Sequence, residues 1–102
     1  MKRAPFALLA SLAASLALAA SAPATVTIEG MQFAPAAVAV ERGATITWTN
    51  KDMVPHTATA KGQFDSGNIA AGQSFSRRMD KAGEFDYVCT YHLGMKGKFV
   101  VK

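Results

Sequence analysis

Seven residues near the C-terminus, Cys89-Thr90-Tyr91-His92-Leu93-Gly94-Met95, place the only cysteine, one of two histidines and a methionine at three-residue steps. Thiolate, imidazole and thioether are soft or borderline donors, and together they select copper over hard cations such as Ca²⁺ and Mg²⁺. Two histidines, one cysteine and a weak axial methionine suit a mononuclear site that cycles between Cu(II) and Cu(I). The second histidine is then His56, since the sequence holds no other. The candidate metal ligands are therefore His56, Cys89, His92 and Met95. Each alone has a plainer reading: a free cysteine usually packs as a small hydrophobe, a methionine fills gaps, and a histidine sits at the surface. Their joint placement around a strand, a loop and a second strand favours the metal.

The elements that must hold these residues read as strands. Glu84 to Cys89 alternates so that Phe85, Tyr87 and Cys89 share one face, which brings the thiol to the rim of a core. Val26 and Ile28 alternate with Thr25 and Thr27, Val38 and Val40 follow Pro35, and Ile46 and Trp48 alternate with three threonines. Ser74 to Met79, with Phe75 inward, and Lys98 to Val101 complete the set. No stretch shows a helical period. Gly30, Gly43, Asn50-Lys51-Asp52, Gly62, Ser66-Gly67-Asn68, Gly72 and Gly83 punctuate the chain about every 8–12 residues, the spacing of a sandwich or barrel. The fold class is all-β, in one small domain. Gly94 supplies the sharp turn between His92 and Met95, and Gly97 ends the loop before the last strand. His56 follows Pro55 and opens the run Thr57-Ala58-Thr59-Ala60. If that run lies in the facing sheet, a bound metal ties two sheets together.

Met1-Lys2-Arg3 is a basic start, and an apolar run of Ala, Leu and Ser extends from Phe6 to Ala20 before small residues lead to Pro23. This reads as a cleavable secretory signal peptide, residues 1–24. The run falls short of the roughly 20 residues that a spanning helix requires. Residues 25–102 then form the domain. Losing Lys2 and Arg3 leaves nine basic residues against seven acidic ones, a net charge of +2 instead of +4. Without basic clusters beyond Arg77-Arg78, nucleic acid is not an expected partner. One cysteine makes no internal disulfide, and in an exported chain metal ligation accounts for it.

The segments Pro55-His56, Gly83 to Cys89 and Cys89 to Lys98 resemble those of the cupredoxins, the small type 1 blue copper proteins, and especially the amicyanins, plastocyanins and pseudoazurins. Arg42 to Asn50 is similar to the family's strand before the histidine loop, so the resemblance spans most of residues 25–102. The two-residue gap between His92 and Met95 is amicyanin-like. The resemblance implies a Greek-key β-sandwich with one copper ion bound through His56, Cys89, His92 and Met95. Two positions depart from the family pattern. Thr57 stands where the family usually carries an asparagine whose amide braces the ligand loop, and its hydroxyl reaches less far. Tyr91 stands where amicyanins and plastocyanins carry proline, and the N–H it retains is expected to point at the Cys89 sulfur and favour Cu(I).

The leading functional expectation is an exported, periplasmic electron carrier, not an enzyme. It would pass single electrons from a dehydrogenase or oxidase to a c-type cytochrome as a monomer. Partners are expected to dock near His92, where Tyr91, Leu93 and Met53-Val54-Pro55 form an apolar patch with lysines at its rim. The alternative is a periplasmic module for copper storage or delivery, built on the same ligands. A Cys-His hydrolase finds little support, because both groups sit on one tight loop without an orienting partner or oxyanion site.

Overall fold

The computed structural model describes residues 21–102. Nine strands follow one another among these residues: β1 (Ala24–Ile28), β2 (Phe33–Ala34), β3 (Ala37–Val40), β4 (Thr45–Asn50), β5 (Thr59–Ala60), β6 (Phe64–Asp65), β7 (Ser74–Arg78), β8 (Gly83–Val88) and β9 (Lys96–Val101). The sequence alternation carries through to side-chain placement. In β4, Ile46, Trp48 and Asn50 are buried, while Thr45, Thr47 and Thr49 lie on the other face. There Thr47 and Thr49 pair hydroxyl to hydroxyl with Ser76 and Ser74 of β7, at 2.7 and 2.9 Å. Threonine fits this role because a β-branched side chain suits the pleat and its hydroxyl suits the wet face.

The strands form two sheets, β2-β1-β4-β7 and β3-β9-β8-β5-β6. Pairing is parallel between β1 and β4 and between β3 and β9, and antiparallel elsewhere. This is the expected all-β Greek-key sandwich. The predicted leader falls almost wholly on residues 1–20, outside the described residues. β8 stops one residue before Cys89, and β9 starts two residues earlier than the alternation suggested. Arg77 and Arg78 lie on the edge strand β7, with Arg77 over the Phe64 ring and Arg78 paired to Asp80 at 2.9 Å.

The core between the sheets is aromatic. Trp48 packs against Phe64, Phe75 and Tyr87, and Tyr87 in turn against Phe33 and Phe99. Tilted and edge-on geometries of this kind add about 0.5–1.5 kcal/mol per pair beyond area burial. Gly97 has a packing reason rather than a turning one, since a Cβ there would overlap the Tyr87 ring. The Tyr87 hydroxyl has no hydrogen-bond partner among the described residues, and burial pushes its pKa up to about 12. Its sign for stability follows from linkage. The unfolded chain ionises near pH 10 and the folded one near 12, so stability is complete below pH 10 and falls as pH rises through that window. The loss amounts to roughly 2–3 kcal/mol at 1.36 kcal/mol per pKa unit. Urea unfolding of the wild type and Tyr87→Phe should therefore give similar stabilities at pH 8 and diverge by roughly that amount toward pH 12. Parallel curves over the whole range would disprove the assignment.

Candidate metal centre

His56 and Cys89 meet at one end of the sandwich, but not across it. β5, just downstream of His56, pairs with β8 in the same sheet, with Thr59 opposite Val88. The expected clamp between facing sheets is thus corrected: alternation in a two-residue strand shows which way side chains point, not which sheet the strand joins. The other sheet reaches the site by another route. Asn50, the fully buried last residue of β4, donates to the carbonyls of Val54 (2.8 Å) and Ile69 (3.0 Å) and accepts the Asp52 N–H at 2.9 Å. Ile69 also bridges to His56, through His56 N–H to Ile69 O at 3.1 Å and the reciprocal bond at 2.8 Å. The Pro55-His56 segment is therefore pinned on both sides.

The loop after β8 closes on itself. The Cys89 N–H donates to Met95 O at 3.1 Å, and the Met95 N–H to His92 O at 3.3 Å. Gly94, at φ 91°, makes the turn as expected, in a region that L residues seldom adopt. Thr57 retains the bracing. Its hydroxyl accepts the Thr90 N–H at 2.9 Å and lies 3.2 Å from the Thr90 hydroxyl and 3.0 Å from that of Thr59. Thr59 donates to Asp65 at 3.1 Å. Each hydroxyl holds one proton, so donation runs from Thr90 through Thr57 and Thr59 to the Asp65 carboxylate. A relay of hydroxyls replaces the reach of an amide.

The donors converge. His56 is fully buried, Cys89 is nearly so, and His92 is half-buried, and one donor atom from each lies within 4.8 Å of the others. The Cys89 sulfur is 3.8 Å from His56 Nδ1. A trigonal metal bonded at about 2.3 Å to sulfur and about 2.0 Å to nitrogen sets such donors about 3.7 Å apart, so this pair already stands at ligand spacing. The two imidazole rings stand edge to face, 4.9 Å between centroids. Met95 is buried, with Met31 and Phe33 lining the same cleft. The sulfur's amide partner is Thr57 N–H at 3.4 Å, not Tyr91 N–H. Tyr91 instead bonds through its phenol to Asn68 at 2.9 Å, which ties the loop to the segment beside Ile69.

Residues 20–102 match the family described as copper binding proteins, plastocyanin/azurin family. The chain belongs to that family. The amicyanin-alpha of Methylorubrum extorquens is 34% identical over 110 residues, covering 92% of this chain and 92% of the relative. The plastocyanin of Scenedesmus fuscus is 33% identical over 84 residues, covering 69% of this chain and 86% of the relative. Among solved structures, an oxidised amicyanin variant superposes with a TM-score of 0.75 at 29% identity, covering 78% of this chain and 82% of that one. A copper-containing nitrite reductase from Thermus scotoductus matches with a TM-score of 0.73 at 25% identity, but over 22% of its own length. This cupredoxin thus has one copper ion as its cofactor, and its relatives among the amicyanins and plastocyanins are electron carriers.

Two residues that matter here were not singled out in the sequence, Asn50 and Asp52, which read there only as turn punctuation. Asp52 Oδ2 lies 2.8 Å from His56 Nε2. The Met31 N–H, and then the Gly30 N–H and His56, hold its carboxyl below the usual carboxylate range, against the upward push of burial. The signal available was an acidic residue four positions before a candidate ligand histidine.

Proposed function

We propose that this cupredoxin is an exported carrier of single electrons, with His56, Cys89, His92 and Met95 holding copper and His92 as the contact through which electrons pass. Bound copper would supply the Cu(II)/Cu(I) couple; the chain holds its donors nearly fixed while that charge changes. The observation that supports this most is the surface around His92. Leu93 is fully exposed, Met53 is 91% exposed, and Val54, Pro55 and Tyr91 are exposed beside them. Apolar side chains left in water around a half-buried ligand ring suit brief docking through a small interface. His92 links that surface to the buried His56, ring against ring. Lys51 and Lys96 are exposed on the segments flanking this surface, so the favoured partner is a redox protein with an acidic docking face.

The basic start and apolar run of residues 1–24 support export to the periplasm, where a dehydrogenase or oxidase would donate and a c-type cytochrome accept. The test measures electron transfer from an acidic redox protein by stopped flow, with a Cu(I) chelator present. Transfer should slow as salt rises, through loss of steering, and copper should stay bound through repeated cycles. A rate indifferent to salt would remove the charge steering, and ready loss of Cu(I) to the chelator would favour storage or delivery instead.

A further inference from the structure

We propose that Asp52 is a positioning residue for the copper, fixing His56 in the tautomer that offers Nδ1 and favouring Cu(II) over Cu(I). The proton assignment follows from the two faces of one ring. A neutral imidazole carries a single N–H, and an ionised carboxylate only accepts. Nε2 lies 2.8 Å from Asp52 Oδ2, so the proton belongs on Nε2. Nδ1, 3.8 Å from the Cys89 sulfur, is left with its lone pair directed toward the other donors. Because the ring is fully buried, water cannot substitute for either contact.

A second observation, on another part of the chain, points to the same carboxylate. Between β1 and β2 the backbone passes through the left-handed region at two successive residues, Gly30 (φ 65°) and Met31 (φ 61°). Glycine takes this conformation freely, but methionine rarely does. The result is that two consecutive N–H groups converge on one side chain: Gly30 N–H on Asp52 Oδ1 at 2.8 Å and Met31 N–H on Oδ2 at 3.0 Å. Asp52 is itself set by its own N–H bond to the buried Asn50. The carboxylate is thus held at three donors, only 15% exposed, with an unfavourable backbone conformation retained around it. Such a fixed negative group behind a ligand imidazole makes the ring a stronger donor, and the more highly charged Cu(II) gains more from it than Cu(I) does.

The inference rests on His56 being a copper ligand, and the experiment separates the two claims. Copper-loaded wild type and Asp52→Asn are compared by redox titration, with melting of the copper-free forms alongside. Asparagine keeps the shape and an acceptor but removes the charge. Cu(II) binding should weaken about 10–100-fold. The Cu(II)/Cu(I) equilibrium should shift toward Cu(I) about tenfold, which is a rise of about 59 mV for one electron. Asp52→Glu, which restores the charge, should recover part of it. An Asp52→Asn protein with lower melting temperature and the wild-type potential would show a merely structural residue and overturn the proposal. Should that variant not fold, ¹⁵N NMR of the Zn(II)-loaded wild type decides. A protonated, slowly exchanging Nε2 on His56 supports the assignment, and an unprotonated Nε2 refutes it. A His56→Ala protein that takes up copper as tightly as the wild type would instead fail the ligand reading itself.

Discussion

Replacing Cys89 with serine should abolish the intense blue thiolate-to-copper absorption of the Cu(II) protein while leaving the fold in place. The sulfur lies at the centre of the site, 3.8 Å from His56 Nδ1 and 3.4 Å from the Thr57 N–H. A thiolate is a soft, easily oxidised donor whose charge transfer to Cu(II) gives the colour and whose bond persists in Cu(I). A serine hydroxyl stays protonated near neutral pH and is hard, so neither property survives. The change in volume is small, and serine retains an acceptor for the Thr57 N–H, so unfolding of the copper-free forms should differ by about 1 kcal/mol or less. The expected result is a colourless Cu(II) complex, weaker by at least tenfold and without reversible cycling. Retention of the blue band in Cys89→Ser would remove Cys89 from the site. A wild type that stays colourless with Cu(II) would remove the site as a whole.

Asn50→Ala should be the most damaging single change to the scaffold of the site. The Asn50 amide is fully buried and makes three bonds at once, to Val54 O, Ile69 O and Asp52 N–H. Ile69 O keeps the His56 N–H as a partner, but Val54 O and Asp52 N–H lose theirs. A buried group left without a partner costs about 1–3 kcal/mol, and these two bonds are only part-buried, so a loss of about 2 kcal/mol in urea unfolding of the copper-free protein is expected. For a domain of this size that is about 8–16 °C in melting temperature, at 4–8 °C per kcal/mol. Copper affinity should fall with it, because Val54 and Ile69 flank and pair with His56. Asn50→Asp tests the two roles apart: it keeps the acceptor for Asp52 N–H and loses both donors. A stability change under about 0.5 kcal/mol in Asn50→Ala would contradict this account.

The long alternating strands were legible because burial on one face imposes a period of two, as Ile46 and Trp48 against Thr45, Thr47 and Thr49 illustrate. The loop from Cys89 to Met95 was legible because rare residue types at regular steps seldom arise from packing alone. What escaped was of a different kind. The two-residue strands β2, β5 and β6 carry no periodic signal, and the sheet that β5 joins depends on where the chain turns back. Gly97 read as a loop end, and only the Tyr87 ring seated against it reveals the packing. Asp52 and Asn50 looked like a polar turn because sequence shows that polar groups are present, not which buried atoms they satisfy. Tyr91 was assigned a bond to sulfur that Thr57 makes, since backbone direction in an irregular loop has no sequence signature.

The parallel pairing of β3 with β9 has a bearing on when the protein becomes functional. Ala37 lies opposite Lys98 and Val40 opposite Val101, so an early strand waits for β9 before it gains its only neighbour among the described strands. Closing so long a segment is entropically slow, and contacts far apart in sequence delay the folding transition. Cys89 and His92 reside in that same late-arriving end. A chain still being made from its N-terminus therefore lacks both the strand that completes this sheet and three of the four proposed copper donors. Topology alone thereby separates synthesis from metal capture, since the candidate site is complete only once β9 has paired.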